Sequence, residues 1–380
     1  MLRTLVGFGG FGLFWGAWGA SLPAVRAESG VGDGELGIAL LMVGLGALAS
    51  MRFTGYLIDR YGGVVLPVVV VLFGLCGVLP AFATDVVTLS GALFLLGVTS
   101  GATDVAINAT GSHAEAVTGK PLMNLAHGIF SVAVVIASLG TAALRTAGAD
   151  ALPVLGGVGV TIAVAAVVVL APGSRANLQA STEPKSKRRL EPVLLVFGGL
   201  CALAYVVENA WQSWSAVHLD TSLDAAPGLA SSAPAVFAAA AATGRIAGNA
   251  LLRRLRPVQL LVAGGIIAAA GSIVAATAGS AWPALIGIGV AGLGTSVCAP
   301  TIIGMTGAWA GPERRAGAIS TVTTLAYLGF LLGPAAVGAA SSAWSLPVAL
   351  GGVAVLALLV AALGPVAARQ SEREPTTFQS

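Results

Sequence analysis

Long apolar runs recur along almost the whole chain and constrain its fold more than any single motif. A helix needs about 20 mostly apolar residues to cross the hydrocarbon core of a bilayer. The 380-residue sequence therefore predicts an all-α membrane protein with 12 spans, numbered 1 to 12 in chain order. The predicted spans are 4–24, 35–57, 63–83, 86–110, 121–144, 152–171, 193–217, 229–252, 258–278, 281–306, 317–340 and 346–367.

Composition agrees with a lipid environment. Hydrophobic residues make up 56% of the chain and charged residues 9%, against about 25% charged in soluble domains. The 52 glycines suit helices that approach each other closely inside a membrane. We find no nucleophile–base pair, phosphate-binding loop or metal-ligand spacing, so we expect no enzymatic activity, cofactor or metal.

The distribution of basic residues predicts how the chain sits in the membrane, because Lys and Arg are retained on the cytoplasmic side. Only Arg26 and Arg145 fall in predicted outer loops, while Arg52 and Arg245 lie near the inner ends of spans 2 and 8. We therefore expect a multi-pass protein of the cytoplasmic (cell inner) membrane with both termini inside, and no nucleic-acid partner. The other basic residues fall in inner segments: Arg3, Arg60, Lys120, Arg175, Lys185, Lys187, Arg188, Arg189, Arg253, Arg254, Arg256, Arg314, Arg315, Arg369 and Arg373.

Two similar halves are predicted from a polar break and from internal echoes. The break is rich in Ser, Pro, Lys and Arg, which is typical of a linker. Pairs of residues recur at offsets of 193 to 196 positions: Trp15-x-x-Trp18 with Trp211-x-x-Trp214, and Arg52-x-x-Gly55 with Arg245-x-x-Gly248. The predicted organisation is a six-helix half 1–171, a cytoplasmic linker 172–192, a second six-helix half 193–367 and a cytoplasmic tail 368–380.

A short motif between spans 2 and 3 identifies a family. Gly55-x-x-x-Asp59-Arg60-x-Gly62 is similar to the loop 2–3 signature of the major facilitator superfamily. The resemblance implies the 12-helix fold of that family, in two pseudo-symmetric halves. It also implies gating roles for these four residues, to which we add Arg245 in the second half.

Further stretches resemble one branch of the superfamily. Together they are similar to the fucose-permease-like branch, and within it to the group of rhizopine-associated membrane proteins and their uncharacterised relatives. That resemblance implies a sugar, a cyclitol or a related polar solute. The stretches are Trp18–Pro23, Thr103–Asn108, Pro121–His127, Glu208–His218 and Thr324–Pro334.

Departures from the family pattern bear on the alternatives. Drug–proton antiporters of the superfamily usually carry an arginine in span 4, where this chain has Asp104, and a Gly-Pro motif in span 5. Sugar–proton symporters near the branch carry an acid in span 1, and here there is none. An exporter of drugs or secondary metabolites is the alternative to a polar-solute transporter, and a non-transporting membrane sensor is a weaker one.

Span 4 and span 5 carry polar residues at similar predicted depth. Asp104 and Asn108 share one face of span 4, and Asn124 and His127 share one face of span 5. A carboxyl and an imidazole inside a membrane are candidates for carrying a coupled proton. A hydrogen-bond network that only holds the two spans together explains the same residues equally well.

Span 7 carries the other acid that lies well inside a predicted span. Glu208, Trp211 and Gln212 are spaced to share one face and could bind a polyol or an amine. Trp15 and Trp18 of the repeat-related span 1, and Tyr327 of span 11, are further substrate-binding candidates. The tryptophans could instead be interfacial anchors.

These observations predict a secondary active transporter that moves a small polar solute by alternating access. The expected partners are the solute, a coupled proton and the lipid bilayer, and we expect a monomer. The sequence names neither the solute nor the direction of transport.

Overall fold

The protein folds as a bundle of α-helices. A computed structural model describes residues 1–119, 122–170 and 191–373, and within these ranges no β-strand occurs. Lys120, nearly all of the predicted linker and the end of the predicted tail lie outside them. The helices are α1 (Leu2–Ser29), α2 (Asp33–Tyr61), α3 (Val65–Cys76), α4 (Val86–Thr118), α5 (Met123–Thr146), α6 (Ala151–Leu170), α7 (Pro192–Leu223), α8 (Pro227–Ser231), α9 (Ala233–Leu251), α10 (Pro257–Thr277), α11 (Ala281–Thr295), α12 (Cys298–Ala343) and α13 (Leu346–Arg373).

Ten helical stretches of the described residues are long and apolar enough to cross a membrane. One of them, Asp33–Phe82, has 50 residues and contains both α2 and α3. At about 1.5 Å per residue it is long enough to cross a core of roughly 30 Å twice. Helix α9, with 19 residues, is not among the ten. With α9 and two crossings by Asp33–Phe82, the helices are consistent with 12 spans.

Helix α12 contains a sharp break that separates two of these stretches. At Gly311 the backbone has φ 70° and ψ 173°, a conformation that residues with a side chain rarely adopt. One stretch, Ala281–Gly311, ends there, and the next, Gly317–Ala343, begins six residues later. The glycine therefore provides the turn between predicted spans 10 and 11.

The Cα packing divides the chain into two compact units. Unit 1 contains α1 to α6 together with Asp224–Ala235, the segment that includes α8. In this unit α2 packs against α4, α1 against α5 and α6, and α8 against α5. A Cβ on Gly228 of α8 would collide with the hydroxyl of Thr146 on α5. Asp224–Ala235 thus packs with α5, although the sequence assigned it to the second half.

Unit 2 contains α7, most of α9, and α10 to α13. In this unit α7 packs against α12 and α13, and α10 packs against α11 and α13. Phe197 of α7 and Val322 of α12 are among the buried side chains of its apolar core. Helix α7 is therefore in contact with several other helices of its unit, and it carries Glu208.

Glycines bring α2 and α4 into direct backbone contact. A Cβ on Gly97 of α4 would collide with the carbonyl oxygen of Val43, and a Cβ on Gly101 would lie 2.7 Å from the Cα of Ala47. Gly46 of α2 makes an equally close approach to the backbone of α4. Small residues at such contacts allow the dispersion interactions that hold membrane helices together.

Carboxylate side chains accept hydrogen bonds from backbone N–H groups at two helix ends in unit 1. Asp85 precedes α4 and accepts a hydrogen bond of 2.8 Å from the N–H of Thr88. That hydrogen bond holds the pKa of Asp85 below its ordinary value, so the cap is charged at neutral pH. Glu115, near the end of α4, accepts hydrogen bonds of 2.8 and 2.9 Å from the N–H groups of Leu122 and Met123. Glu115 therefore joins the end of α4 to the start of α5.

Replacing Gly97 by alanine should destabilise the protein, because the added Cβ collides with the backbone of α2. We expect a cost of about 1–3 kcal/mol, measured as a lower Tm of the full chain in detergent. Gly91→Ala is the matched control on the same helix, because a Cβ there meets no atom within 4 Å. Equal changes in Tm for the two variants would contradict the close contact between α2 and α4.

Candidate functional site

Glu208 lies in the middle of α7 and forms an ion pair in unit 2. Its Oε1 atom is 2.7 Å from Nη2 of Arg245 on α9. Gln212, one turn further along α7, donates a hydrogen bond of 3.1 Å from Nε2 to the same oxygen. A charge inside an apolar helix is costly unless it is paired and hydrogen-bonded, and this arrangement supplies both. The structure thus brings together three residues that the sequence singled out.

Helix geometry explains why these side chains meet. Glu208 and Gln212 are four residues apart, so they project from the same face of α7. Arg245 lies six residues before Leu251, where α9 ends. The sequence placed Arg245 at the inner end of span 8 and assigned it to gating, whereas its guanidinium reaches the carboxylate in the middle of α7.

The two members of the ion pair differ in accessibility. The side chain of Arg245 is 45% exposed, and that of Glu208 is 11% exposed. Gln212 is exposed as well. The guanidinium of Arg245 and the amide of Gln212 are therefore the accessible groups of the cluster, whereas the carboxylate of Glu208 is largely buried.

Trp211 is fully buried, and its position differs from the one predicted for a residue that lines a solute site. Its Nε1 atom donates a hydrogen bond of 2.9 Å to the hydroxyl of Ser272 on α10. Consecutive residues of an α-helix are about 100° apart, so Trp211 points away from the exposed side of Gln212, which follows it. The Nε2 atom of His218 lies 3.0 Å from the carbonyl oxygen of Ala275, also on α10. Trp211 and His218 therefore attach α7 to α10.

A further polar contact attaches α7 to α12. Asn209 donates a hydrogen bond of 2.7 Å from Nδ2 to the carbonyl oxygen of Phe330, and Ser213 donates one of 2.9 Å to Oδ1 of Asn209. Tyr327 lies on α12 with 40% exposure, and its ring is 6.5 Å from that of Phe330. Of these residues only Tyr327 was a predicted site residue.

In unit 1, Asp104 and Asn108 contact each other as their spacing predicts. Both are half-buried residues of α4. The Nδ2 atom of Asn108 donates to Oδ1 of Asp104 at 3.1 Å and to its carbonyl oxygen at 2.9 Å. The amide thus gives the carboxylate a hydrogen-bond donor within the apolar helix.

His127 belongs to α5, and its ring lies edge-on to Phe8 of α1 with the centroids 4.8 Å apart. The residue is exposed. Its carbonyl oxygen accepts a hydrogen bond of 3.1 Å from the hydroxyl of Ser131. Asn124 also lies on α5, but its side chain is outside the described residues.

The predicted tryptophans of span 1 lie on α1 in unit 1. The ring of Trp15 is half-buried and edge-on to Phe11 and Phe14, at centroid distances of 6.2 and 5.8 Å. Trp18 is buried, with 5% exposure. Trp15 is therefore the more accessible of the two.

The residues of the loop 2–3 motif lie at the end of α2. Asp59 and Arg60 are exposed, and Arg60 donates a hydrogen bond of 3.1 Å to the hydroxyl of Tyr56. Gly62 has φ 61°, which explains the glycine at that position. A Cβ on Gly55 would meet no atom within 4 Å.

Two residues that attach α7 to its neighbours went unnoticed in the sequence. Asn209 could have been found, because an amide inside an apolar span needs a partner. Ser272 carries no such signal, since serines in membrane helices often bond the carbonyl of their own helix.

Long apolar helices in two compact units, with polar groups paired inside them, are typical of a multi-pass membrane protein. The family model of the Major Facilitator Superfamily matches residues 4–291 and 209–380. The chain belongs to that superfamily, as the resemblance of its loop 2–3 motif implied.

Similar proteins agree with this assignment. An uncharacterised MFS-type transporter of Yersinia pestis is 32% identical over 363 residues, which cover 92% of this chain and 91% of that protein. Membrane protein MosC of Rhizobium meliloti is 26% identical over 355 residues, covering 92% and 86%. The fold resembles the crystal structure of a bacterial homolog of the human lysosomal transporter Spinster, inward-facing and occupied. The TM-score is 0.81 with 17% identity, over 99% of this chain and 98% of that one.

A double-mutant cycle should detect coupling between Glu208 and Arg245. Arg245→Gln leaves the largely buried carboxylate unpaired and should lower the free energy of unfolding by about 1–3 kcal/mol. Solvent screening at the exposed arginine limits the size of this loss. Adding Glu208→Gln should restore part of that loss, measured as Tm in detergent. Arg253→Gln, an exposed residue beyond α9, is the control and should leave Tm unchanged. Additive effects of the two substitutions would contradict the ion pair.

Proposed function

We propose that the chain is a secondary active transporter. It moves a small polar solute across the cytoplasmic membrane by alternating access, and the movement is coupled to that of a proton. The observation that carries the proposal is the cluster of Glu208, Arg245 and Gln212 inside unit 2. Ionisable groups inside membrane helices mark solute and ion pathways, because placing them there is otherwise costly.

The cluster suits a solute rich in hydroxyl groups. Carboxylate and amide oxygens accept hydrogen bonds from hydroxyls, while the guanidinium and the amide nitrogen donate them. Tyr327, exposed on α12 of the same unit, adds a hydroxyl and an aromatic face. Sugars, cyclitols and their amine-bearing relatives are therefore the solute classes to test first.

The tryptophans have different roles in this proposal. Trp15 is half-buried, so its indole is the accessible one for stacking on a sugar ring. Trp18 and Trp211 are buried and support the helices that carry the site. Their contribution to solute affinity is then indirect.

Asp104 is the proposed proton carrier, with Asn108, Asn124 and His127 as its partners. In support, the carboxylate of Asp104 is half-buried within α4 and is hydrogen-bonded to Asn108. The imidazole of His127 is exposed on α5, the next helix along the chain, and is a chemically suitable second proton carrier.

Gating and orientation complete the proposal. Gly55, Asp59, Arg60 and Gly62 form the gating motif, and the bond between Arg245 and Glu208 changes during the transport cycle. The excess of basic residues in predicted inner segments supports cytoplasmic termini. The transporter acts as a monomer.

A thermal-shift screen tests the solute class, because a ligand of the folded state raises its stability. The probes are myo-inositol, L-fucose and 2-deoxystreptamine, with tetraphenylphosphonium as a probe for export of lipophilic drugs. A higher Tm with one of the first three supports the proposal. A higher Tm with tetraphenylphosphonium alone would favour a drug exporter.

Asp104→Asn should abolish uptake driven by a pH gradient, because the amide cannot take up a proton. The measurement is uptake of the radiolabelled screening hit into proteoliposomes with and without an imposed gradient. Solute exchange without a gradient should persist, since the site in unit 2 is intact. Asp150→Asn, at an exposed loop position, is the control. Gradient-driven uptake at the unmodified rate in Asp104→Asn would refute this assignment.

A further inference from the structure

The accessible member of the intramembrane ion pair is its cation. We infer that Arg245 binds a carboxylate of the solute, so that the transported molecule is a sugar acid or a similar polyhydroxy acid. The inference rests on the proposed function and narrows its solute class. Under this inference, neither a neutral polyol nor an amine is the preferred ligand.

Arg245 retains donors for a second partner. A guanidinium carries five N–H groups in a planar fork that matches the two oxygens of a carboxylate. Within the described part of the chain, the side chain of Arg245 forms one hydrogen bond, from Nη2 to Oε1 of Glu208. The side chain of Arg245 is 45% exposed, so a second partner can approach it.

The surroundings of Arg245 favour water or an anion over lipid. Asn249 follows four residues later on the same face of α9 and is exposed, as is Gln212 on α7. Ile246, turned about 100° from Arg245, is 75% exposed and provides the apolar face of the helix. We name Gln212, Arg245 and Asn249 the polar strip. An arginine inside a membrane is costly in lipid but not beside water or an anion.

The same geometry disfavours an amine as ligand. An ammonium group would bind Glu208, but that side chain is only 11% exposed. Its Oε1 atom already accepts hydrogen bonds from Arg245 and Gln212. Glu208 is therefore a positioning residue, which holds the guanidinium and competes with the solute carboxylate for it.

Matched ligands test the inference directly. The first set is D-galacturonate, D-galactose and D-galactosamine, and the second is D-glucuronate, D-glucose and D-glucosamine. Within each set the acid carries a carboxylate at C6 of the neutral sugar, and the amine carries an ammonium group in place of its C2 hydroxyl. We expect at least one acid to raise the Tm of the full chain in detergent, and its neutral and amine counterparts to leave Tm unchanged.

Three variants test whether binding of the acid depends on Arg245. The affinity is measured by calorimetry. Arg245→Gln should weaken binding of the acid at least about tenfold, and Arg245→Lys, which keeps the charge but loses the fork, should weaken it less. Glu208→Gln should strengthen it, because the competing carboxylate is removed. A site for amines would respond to Glu208→Gln in the opposite sense. Arg253→Gln is the control and should bind like the unmodified chain.

The outcomes separate this inference from the proposed function. The inference is wrong if only neutral or amine ligands bind, if no acid binds, or if acid binding survives unchanged in both Arg245 variants. In the first case the polar-solute transporter still stands. If none of these sugars is bound or taken up by proteoliposomes, and neither is myo-inositol, L-fucose or 2-deoxystreptamine, the proposed function fails as well.

Discussion

The hydrocarbon core offers no hydrogen-bond partners, and this constraint determines most of what the chain does. Backbone groups must be satisfied within each helix, so the described ranges consist of long helices with breaks at glycines. Polar side chains face the same demand. Glu208 meets it with Arg245, Trp211 with Ser272, and Asp104 with Asn108. Arg245 is both paired with a carboxylate and accessible.

Helix α7 carries its contacts with neighbouring helices and its ion pair on different faces. Trp211 and His218 attach it to α10, and Asn209 attaches it to α12, through hydrogen bonds to a hydroxyl and to backbone carbonyls. Glu208 and Gln212 occupy the remaining polar face and contact each other and α9. The bonds that attach α7 to its neighbours are therefore separate from the ion pair.

The sequence predicts the helices well and their side-chain partners poorly, for physical reasons. Hydropathy and length determine the spans, whereas the turn at Gly311 was not singled out in the sequence. Acids in apolar runs are rare, which is why Glu208 was found. The partner of Arg245 depends on the rotation and depth of α9 relative to α7, which hydropathy does not encode. The same holds for Trp211, whose spacing from Glu208 fits a shared face although its ring is buried against α10.

We expect the polar strip to face an aqueous solute pathway. This expectation is tested most directly by the labelling rate of Gln212→Cys with a charged methanethiosulfonate in proteoliposomes, after replacement of the three native cysteines. We expect fast labelling that D-galacturonate slows, and slow labelling of Ile246→Cys on the apolar face of α9. Labelling of Gln212→Cys that is as slow as that of Ile246→Cys would contradict it.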